Sequence, residues 1–160
     1  MKTFPIFIVG FTGAGKTTYG SHLAKTLHVP FFDLDECVEA KEGKTIPEIF
    51  ASEGEELFRI IESKVLESFL HTQAVISCGG GTACFHNNME RMNAHGHTIW
   101  IKASENTIFK NLVQSNLQHR PLIQGFTGEA LKQWISATLE KRVPFYAQAK
   151  ETVIAEELVK

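Results

Sequence analysis

The stretch Gly10-Phe11-Thr12-Gly13-Ala14-Gly15-Lys16-Thr17-Thr18 constrains this chain more than any other. It satisfies the pattern Gly-x4-Gly-Lys-[Ser/Thr] in full. Ahead of it stands Ile6-Phe7-Ile8-Val9, an apolar run of strand type, and behind it Tyr19, Leu23, Ala24 and Leu27 recur at helical spacing. Strand, glycine loop and helix in that order form the setting in which such a loop binds phosphate. Glycines let the backbone turn tightly and aim its N–H groups inward, and the positive end of the following helix completes an anion cradle. Gly13, Ala14, Gly15, Lys16, Thr17 and Thr18 are therefore the expected phosphate-binding residues. Lys16 is placed to reach the outer phosphates, and the Thr17 hydroxyl is suited to Mg2+.

The chain has 160 residues, the size of one domain. A formal net charge of -2, with no Lys/Arg run, argues against a nucleic-acid binder. The three cysteines, Cys37, Cys78 and Cys84, form no CxxC pair, which suggests reduced thiols in a cytoplasmic protein. Met1-Lys2-Thr3-Phe4-Pro5 leads straight into the first apolar run, so no leader is expected. No apolar run approaches the ~20 residues of a membrane span.

Five apolar runs read as buried strands: Ile6 to Val9, Pro30 to Leu34, Ala74 to Cys78, Thr98 to Ile101, and Thr152 to Ala155. Helical patterns lie between them, which implies an α/β fold with a parallel sheet covered on both faces. In such sheets ligands sit beyond the carboxyl ends of the strands. Three features fall at those ends: the phosphate loop, Asp33-Leu34-Asp35, and Gly79-Gly80-Gly81.

The connection over about residues 36–73 is too long for a plain crossover and reads as a helical insertion that holds something other than the nucleotide. Ile46-Pro47-Glu48-Ile49-Phe50 begins one helix. A second, from about Glu53, carries the row Leu57, Ile61, Val65 and Phe69, with Phe58, Leu66 and Leu70 beside it. A further interruption, about residues 115–128, contains Arg120-Pro121-Leu122 and two glycines, and reads as a lid. The next helix, about Glu129 to Ala149, presents Leu131, Ile135 and Leu139 on one side and is expected to break or kink at Pro144.

Asp33 and Asp35 stand two apart at a strand end, which points both to one side. One is suited to steering a water on Mg2+ and the other to taking a proton from a substrate hydroxyl. The lesser alternative for Asp35, compatible with that role, is capping of the next helix. Three consecutive glycines after Val75-Ile76-Ser77-Cys78 suggest that something packs against bare backbone. By spacing alone, Arg59 makes ordinary surface ion pairs with Glu55 and Glu62, and Arg142 is unremarkable. Arg120 is placed to neutralise charge on a transferred phosphoryl group. His95 and His97 read as loop residues, and Met89 and Met92 as core.

Taken together these segments resemble shikimate kinase. The phosphate loop, Asp33-Leu34-Asp35, Ile49-Phe50 with Gly54-Glu55, Phe58-Arg59 and Glu62, Ser77-Cys78-Gly79-Gly80-Gly81, Arg120-Pro121-Leu122 and Lys141-Arg142-Val143-Pro144-Phe145-Tyr146 all stand in that family's order and spacing. The resemblance implies a three-layer P-loop kinase fold, nucleoside-monophosphate-kinase-like, with strand order 2-3-1-4-5. It implies one domain over residues 1–160, working as a monomer. It also implies transfer of the ATP γ-phosphate to the 3-hydroxyl of shikimate in aromatic amino-acid biosynthesis.

Under that resemblance Lys16, Asp35 and Arg120 are catalytic, and Arg120 also contacts ATP. Arg59 and Arg142 bind the shikimate carboxylate, which reverses the surface reading of Arg59. Phe50, Phe58, Glu62, Gly79, Gly80, Gly81 and Leu122 complete the substrate site, and Thr17 and Asp33 serve Mg2+. Many members carry an arginine before the lid that stacks on adenine. Here that region reads Lys110-Asn111-Leu112-Val113-Gln114, so other residues are expected to cover the base. The alternatives are a related kinase for gluconate or a nucleoside monophosphate, and a nucleotide-switched interaction module.

Overall fold

The structure, a computed structural model, describes residues 3–115, 121–123 and 125–158. Arg120 lies outside the described residues. Five strands form one parallel sheet: β1 (Ile6–Val9), β2 (Phe31–Asp33), β3 (Val75–Ser77), β4 (His97–Lys102) and β5 (Glu151–Ile154). Their order is β2-β3-β1-β4-β5, the order the resemblance implied. Ile6 pairs with Val75 on one side and His97 on the other, so β1 is central and its loop emerges mid-sheet.

Alternation along β1 sends Phe7 and Val9 into one core and Ile6 and Ile8 into the other, as a sheet covered on both faces requires. The Ile6 face packs against α1 (Lys16–Leu27), through Ala24. The Phe7 face packs against α2 (Leu34–Glu42), α3 (Ile46–Glu67), α4 (Asn88–His95), α5 (Glu105–Gln114) and α6 (Gly128–Tyr146). Met89 and Met92 fill this larger core. No helix among the described residues is long and apolar enough to cross a membrane.

Local chemistry sets the helix starts nearest the site. α1 begins at Gly15, whose φ of 97° is a left-handed conformation that few other residues adopt. α2 begins where the Asp33 carboxylate accepts the Glu36 N–H at 3.3 Å. The cap is therefore Asp33, not Asp35. Asp35 lies in the first helical turn, so the strand alternation expected for the pair does not operate. α3 opens on a capping box between Thr45 and Glu48, with Pro47 in the first turn. Gly54, at φ 83°, interrupts its helical path and separates the two helices expected from the sequence.

Other expectations are corrected. Leu57 is exposed, and the buried stripe of α3 runs through Phe58, Arg59, Glu62, Val65 and Leu66. Two charged residues, Arg59 and Glu62, thus share the buried face with apolar ones, which apolar periodicity alone does not register. α6 runs through Pro144 and ends two residues later at Tyr146, so the helix does not break at the proline itself. His95 closes α4 and His97 opens β4, where its Nε2 meets Glu151 at 2.9 Å, so neither is a loop residue.

Candidate active site

Two adjoining clefts open at the carboxyl edge of the sheet. The first is lined by Gly13, Gly15, Lys16, Thr17, Thr18 and Asp33, with Asn111 at its border. The Asn111 amide donates to the Gly13 carbonyl at 2.7 Å and ties the phosphate loop to α5. Lys16 is buried and its Nζ donates to the Phe11 carbonyl at 2.9 Å, which holds the ammonium within the loop. Ala14 differs from its neighbours. Its side chain is buried in the smaller core and its N–H closes a turn onto the Phe11 carbonyl at 3.0 Å. The Thr17 hydroxyl donates to Asp33 Oδ2 at 3.2 Å. One hydroxyl and one carboxylate side by side are hard oxygen donors of the kind Mg2+ accepts beside phosphate and water, so these residues fit that ion.

The second cleft is lined by Phe50, Phe58, Arg59, Glu62, Leu122 and Arg142, together with Trp134. The two clefts share a wall made of Thr12, Asp35, Ile46, Gly79 and Gly80. Every sequence-nominated site residue among those described falls in one cleft or the other, apart from Ala14.

The triple glycine is the hub of this arrangement. A Cβ on Gly79 would lie 2.9 Å from Asp35 Oδ1, and one on Gly81 would lie 2.6 Å from Arg59 Nη2. One on Gly80 would collide with the Thr12 hydroxyl and lie 3.2 Å from Arg142 Nη1. The bare backbone expected from three glycines is thus covered by the chain's own functional side chains. Each glycine makes room for a different one. The Tyr146 hydroxyl donates to the Gly80 carbonyl and fixes the end of α6 to the same turn.

Arg59 makes both ion pairs its spacing allows, but in a buried setting. Nε and Nη2 donate to Glu55 Oε2 at 3.3 and 3.1 Å, and Nη1 donates to Glu62 Oε1 at 3.1 Å. The Arg59 side chain is 6% exposed and that of Glu62 0%, so these are not surface pairs. A guanidinium has five N–H groups. Among the described residues three of them are used, which leaves two for a planar anion. The guanidinium also lies 4.4 Å above the Phe85 ring. Arg142, likewise buried, lies 5.5 Å from the Phe11 ring centroid and 6.0 Å from that of Trp134.

Asp35 is held in an unusual state. Burial, followed by the charges of Glu62 and Asp33, pushes its carboxyl up to about 7, against the opposing pull of Lys16 and Arg59. A carboxyl that titrates near neutrality at the wall between two clefts is equipped to take a proton there. Cys84, near both arginines, is pushed up to about 11, mainly by burial, and is therefore a poor nucleophile.

Sequence reasoning missed Thr12, Phe11 and Trp134. Trp134 precedes Arg142 by eight residues on α6, within one helical stripe, and that spacing was the available signal. Thr12 occupies one of the variable positions of the phosphate loop, where no pattern marks it.

The sequence model that describes shikimate kinase matches residues 12–160. The chain belongs to the shikimate kinase family. Shikimate kinase of Parabacteroides distasonis is 44% identical over 155 residues, covering 96% of this chain and 89% of that one. The crystal structure of shikimate kinase from Bacteroides thetaiotaomicron superposes with a TM-score of 0.91 at 42% identity, covering 97% of this chain and 88% of that one. Shikimate kinase from Acinetobacter baumannii, solved in complex with shikimate, gives a TM-score of 0.87 at 34% identity, covering 96% and 87% respectively.

Proposed function

We propose that this chain transfers the γ-phosphate of ATP to the 3-hydroxyl of shikimate, giving shikimate 3-phosphate and ADP. Membership of the family supports the reaction class. The observation that carries the reading at this site is the pair of buried guanidinium groups, Arg59 and Arg142, that flank Gly80 and Gly81 across the wall from the phosphate loop. Two guanidinium groups suit a single carboxylate. A nucleobase would bring no anion to the two Arg59 N–H groups that Glu55 and Glu62 leave open, nor to buried Arg142.

In this reading the phosphate loop and Lys16 hold the triphosphate, and Arg59 and Arg142 hold the carboxylate of shikimate. Phe50 and Phe58, whose rings lie 5.0 Å apart, pack on the carbon face of its ring. The 3-hydroxyl then lies at the shared wall beside Asp35. Its oxygen attacks the γ-phosphorus, its proton passes to the Asp35 carboxylate, and the bond to the bridging β–γ oxygen breaks with its electron pair leaving on ADP. Most of the rate enhancement comes from placement and charge neutralisation. Thr17 and Asp33 would hold Mg2+, which supplies charge neutralisation on the phosphates when bound. Arg120, in the lid, would add positive charge to the transferring group. The reading includes a monomer acting in the cytoplasm, consistent with three free cysteines.

The test is ADP release at fixed ATP and Mg2+, with shikimate, gluconate and nucleoside monophosphates offered in turn. Shikimate is expected to raise turnover far above the others. A purified, folded protein that binds nucleotide yet turns over no faster with shikimate overturns the reading and returns the interaction-module alternative.

A further inference from the structure

Glu62 is wholly buried, and only one of its oxygens is used by Arg59. The other, Oε2, accepts the Thr82 hydroxyl at 2.6 Å. Thr82 comes from the turn directly after the triple glycine and is itself 0% exposed. Its own backbone is held in turn. The Asn88 amide, also 0% exposed, donates to the Thr82 carbonyl at 2.9 Å. The Asn88 Oδ1 accepts from the Ser63 hydroxyl at 2.9 Å, and Arg91 Nη1 donates to the same Ser63 oxygen at 2.8 Å. An unbroken line of hydrogen bonds thus runs from the surface at Arg91 to the guanidinium of Arg59.

We propose that Thr82, held in place by Asn88, is a positioning residue for substrate binding: its hydroxyl fixes the Glu62 carboxylate in the rotamer that aims Arg59 at the acid group of the substrate. The argument is one of geometry. Arg59 is a long side chain with high rotamer freedom, and buried charge pairs are useful only when their geometry is held. Glu55 grips one edge of the guanidinium but is 40% exposed, so it is a weak anchor. Glu62 is the rigid one. It is rigid because it is wholly buried and because Thr82 occupies its second oxygen. Without the Thr82 hydroxyl, Oε2 would be a buried acceptor with no donor among the described residues. The carboxylate would turn to find one, and Arg59 would follow.

This inference rests on the reading that Arg59 holds the substrate carboxylate, and the experiment separates the two. Thr82→Val keeps the shape and removes the hydroxyl, Thr82→Ser keeps the hydroxyl, and Thr82→Ala removes it without adding bulk should the valine not fold. Shikimate KM, ATP KM and thermal melting are measured for each, alone and in an Arg59→Ala background. Thr82→Val is expected to raise shikimate KM by about 5- to 30-fold with ATP KM within about twofold, and Thr82→Ser to restore it. In the Arg59→Ala background the same change is expected to do nothing further to shikimate KM. A lowered melting temperature with unchanged shikimate KM, an equal rise in both KM values, or a full effect without Arg59 overturns the role of Thr82. An unchanged shikimate KM in Arg59→Ala alone overturns the site reading instead.

Discussion

Replacing Asp35 with Asn is expected to strengthen the fold while disabling the reaction. The Asp35 carboxyl is raised from 3.8 to about 7 because burial and the charges of Glu62 and Asp33 outweigh the attraction of Lys16 and Arg59. Between those two values the folded protein keeps a proton at Asp35 that the unfolded chain has released. Stability contributed at this position therefore falls as pH rises through the window and levels off above about pH 7. Taken at full size, the displacement costs the fold about 4 kcal/mol at pH 8 and about 1.5 kcal/mol at pH 5. Water entering the open cleft reduces both. Asparagine carries no charge to bury. Asp35→Asn is expected to exceed the wild type by about 1–3 kcal/mol in equilibrium urea unfolding at pH 8, without nucleotide, and by clearly less at pH 5. The same variant should lose about 10²–10⁴ in turnover, with ATP titrations nearly unchanged. A variant less stable than wild type at pH 8, or displaced equally at both pH values, refutes the account of Asp35 as a destabilised acid.

Arg59→Ala and Arg142→Ala should each raise shikimate KM by about 10- to 100-fold with ATP KM little changed; steady-state kinetics with each substrate varied will show whether both belong to the site. Gly81→Ala places a methyl group 2.6 Å from Nη2 of Arg59, whose guanidinium is held by Glu62 through Nη1 and lies over the Phe85 ring. It is expected to weaken shikimate binding by at least about tenfold while nucleotide binding survives, and calorimetric titration of each ligand separates the two. Chelation of divalent cations should stop turnover, and Thr17→Val should raise the Mg2+ concentration needed to restore it, as an activity titration against Mg2+ will read.

The sheet was legible because its signals are local. Short apolar runs marked all five strands, and the phosphate loop announced its own geometry. The site was legible only in part. Asp33 and Asp35 were read through strand alternation, but the backbone turns helical at Leu34 once Asp33 caps it, and the two reach one cleft by a different route. Arg59 shows the limit most clearly. Its spacing to Glu55 and Glu62 foretold both ion pairs. Their burial depends on Gly81 and Thr82, which lie some twenty residues further on and which no helical period registers. The resemblance supplied a role for Arg59 in the substrate site, but not that distant contact. Thr12 and Trp134 escaped because each is ordinary in its own segment and acquires meaning only where segments meet.

The partition between the two clefts is thin: a hydroxyl, a carboxyl, an isoleucine and naked peptide. Any oxygen nucleophile that comes to rest there confronts the same acid and the same phosphate, and water is the most abundant of them. Slow ATP hydrolysis in the absence of acceptor is thus the natural leak of this architecture, and its rate measures how well the acceptor's own bulk keeps solvent from the seam.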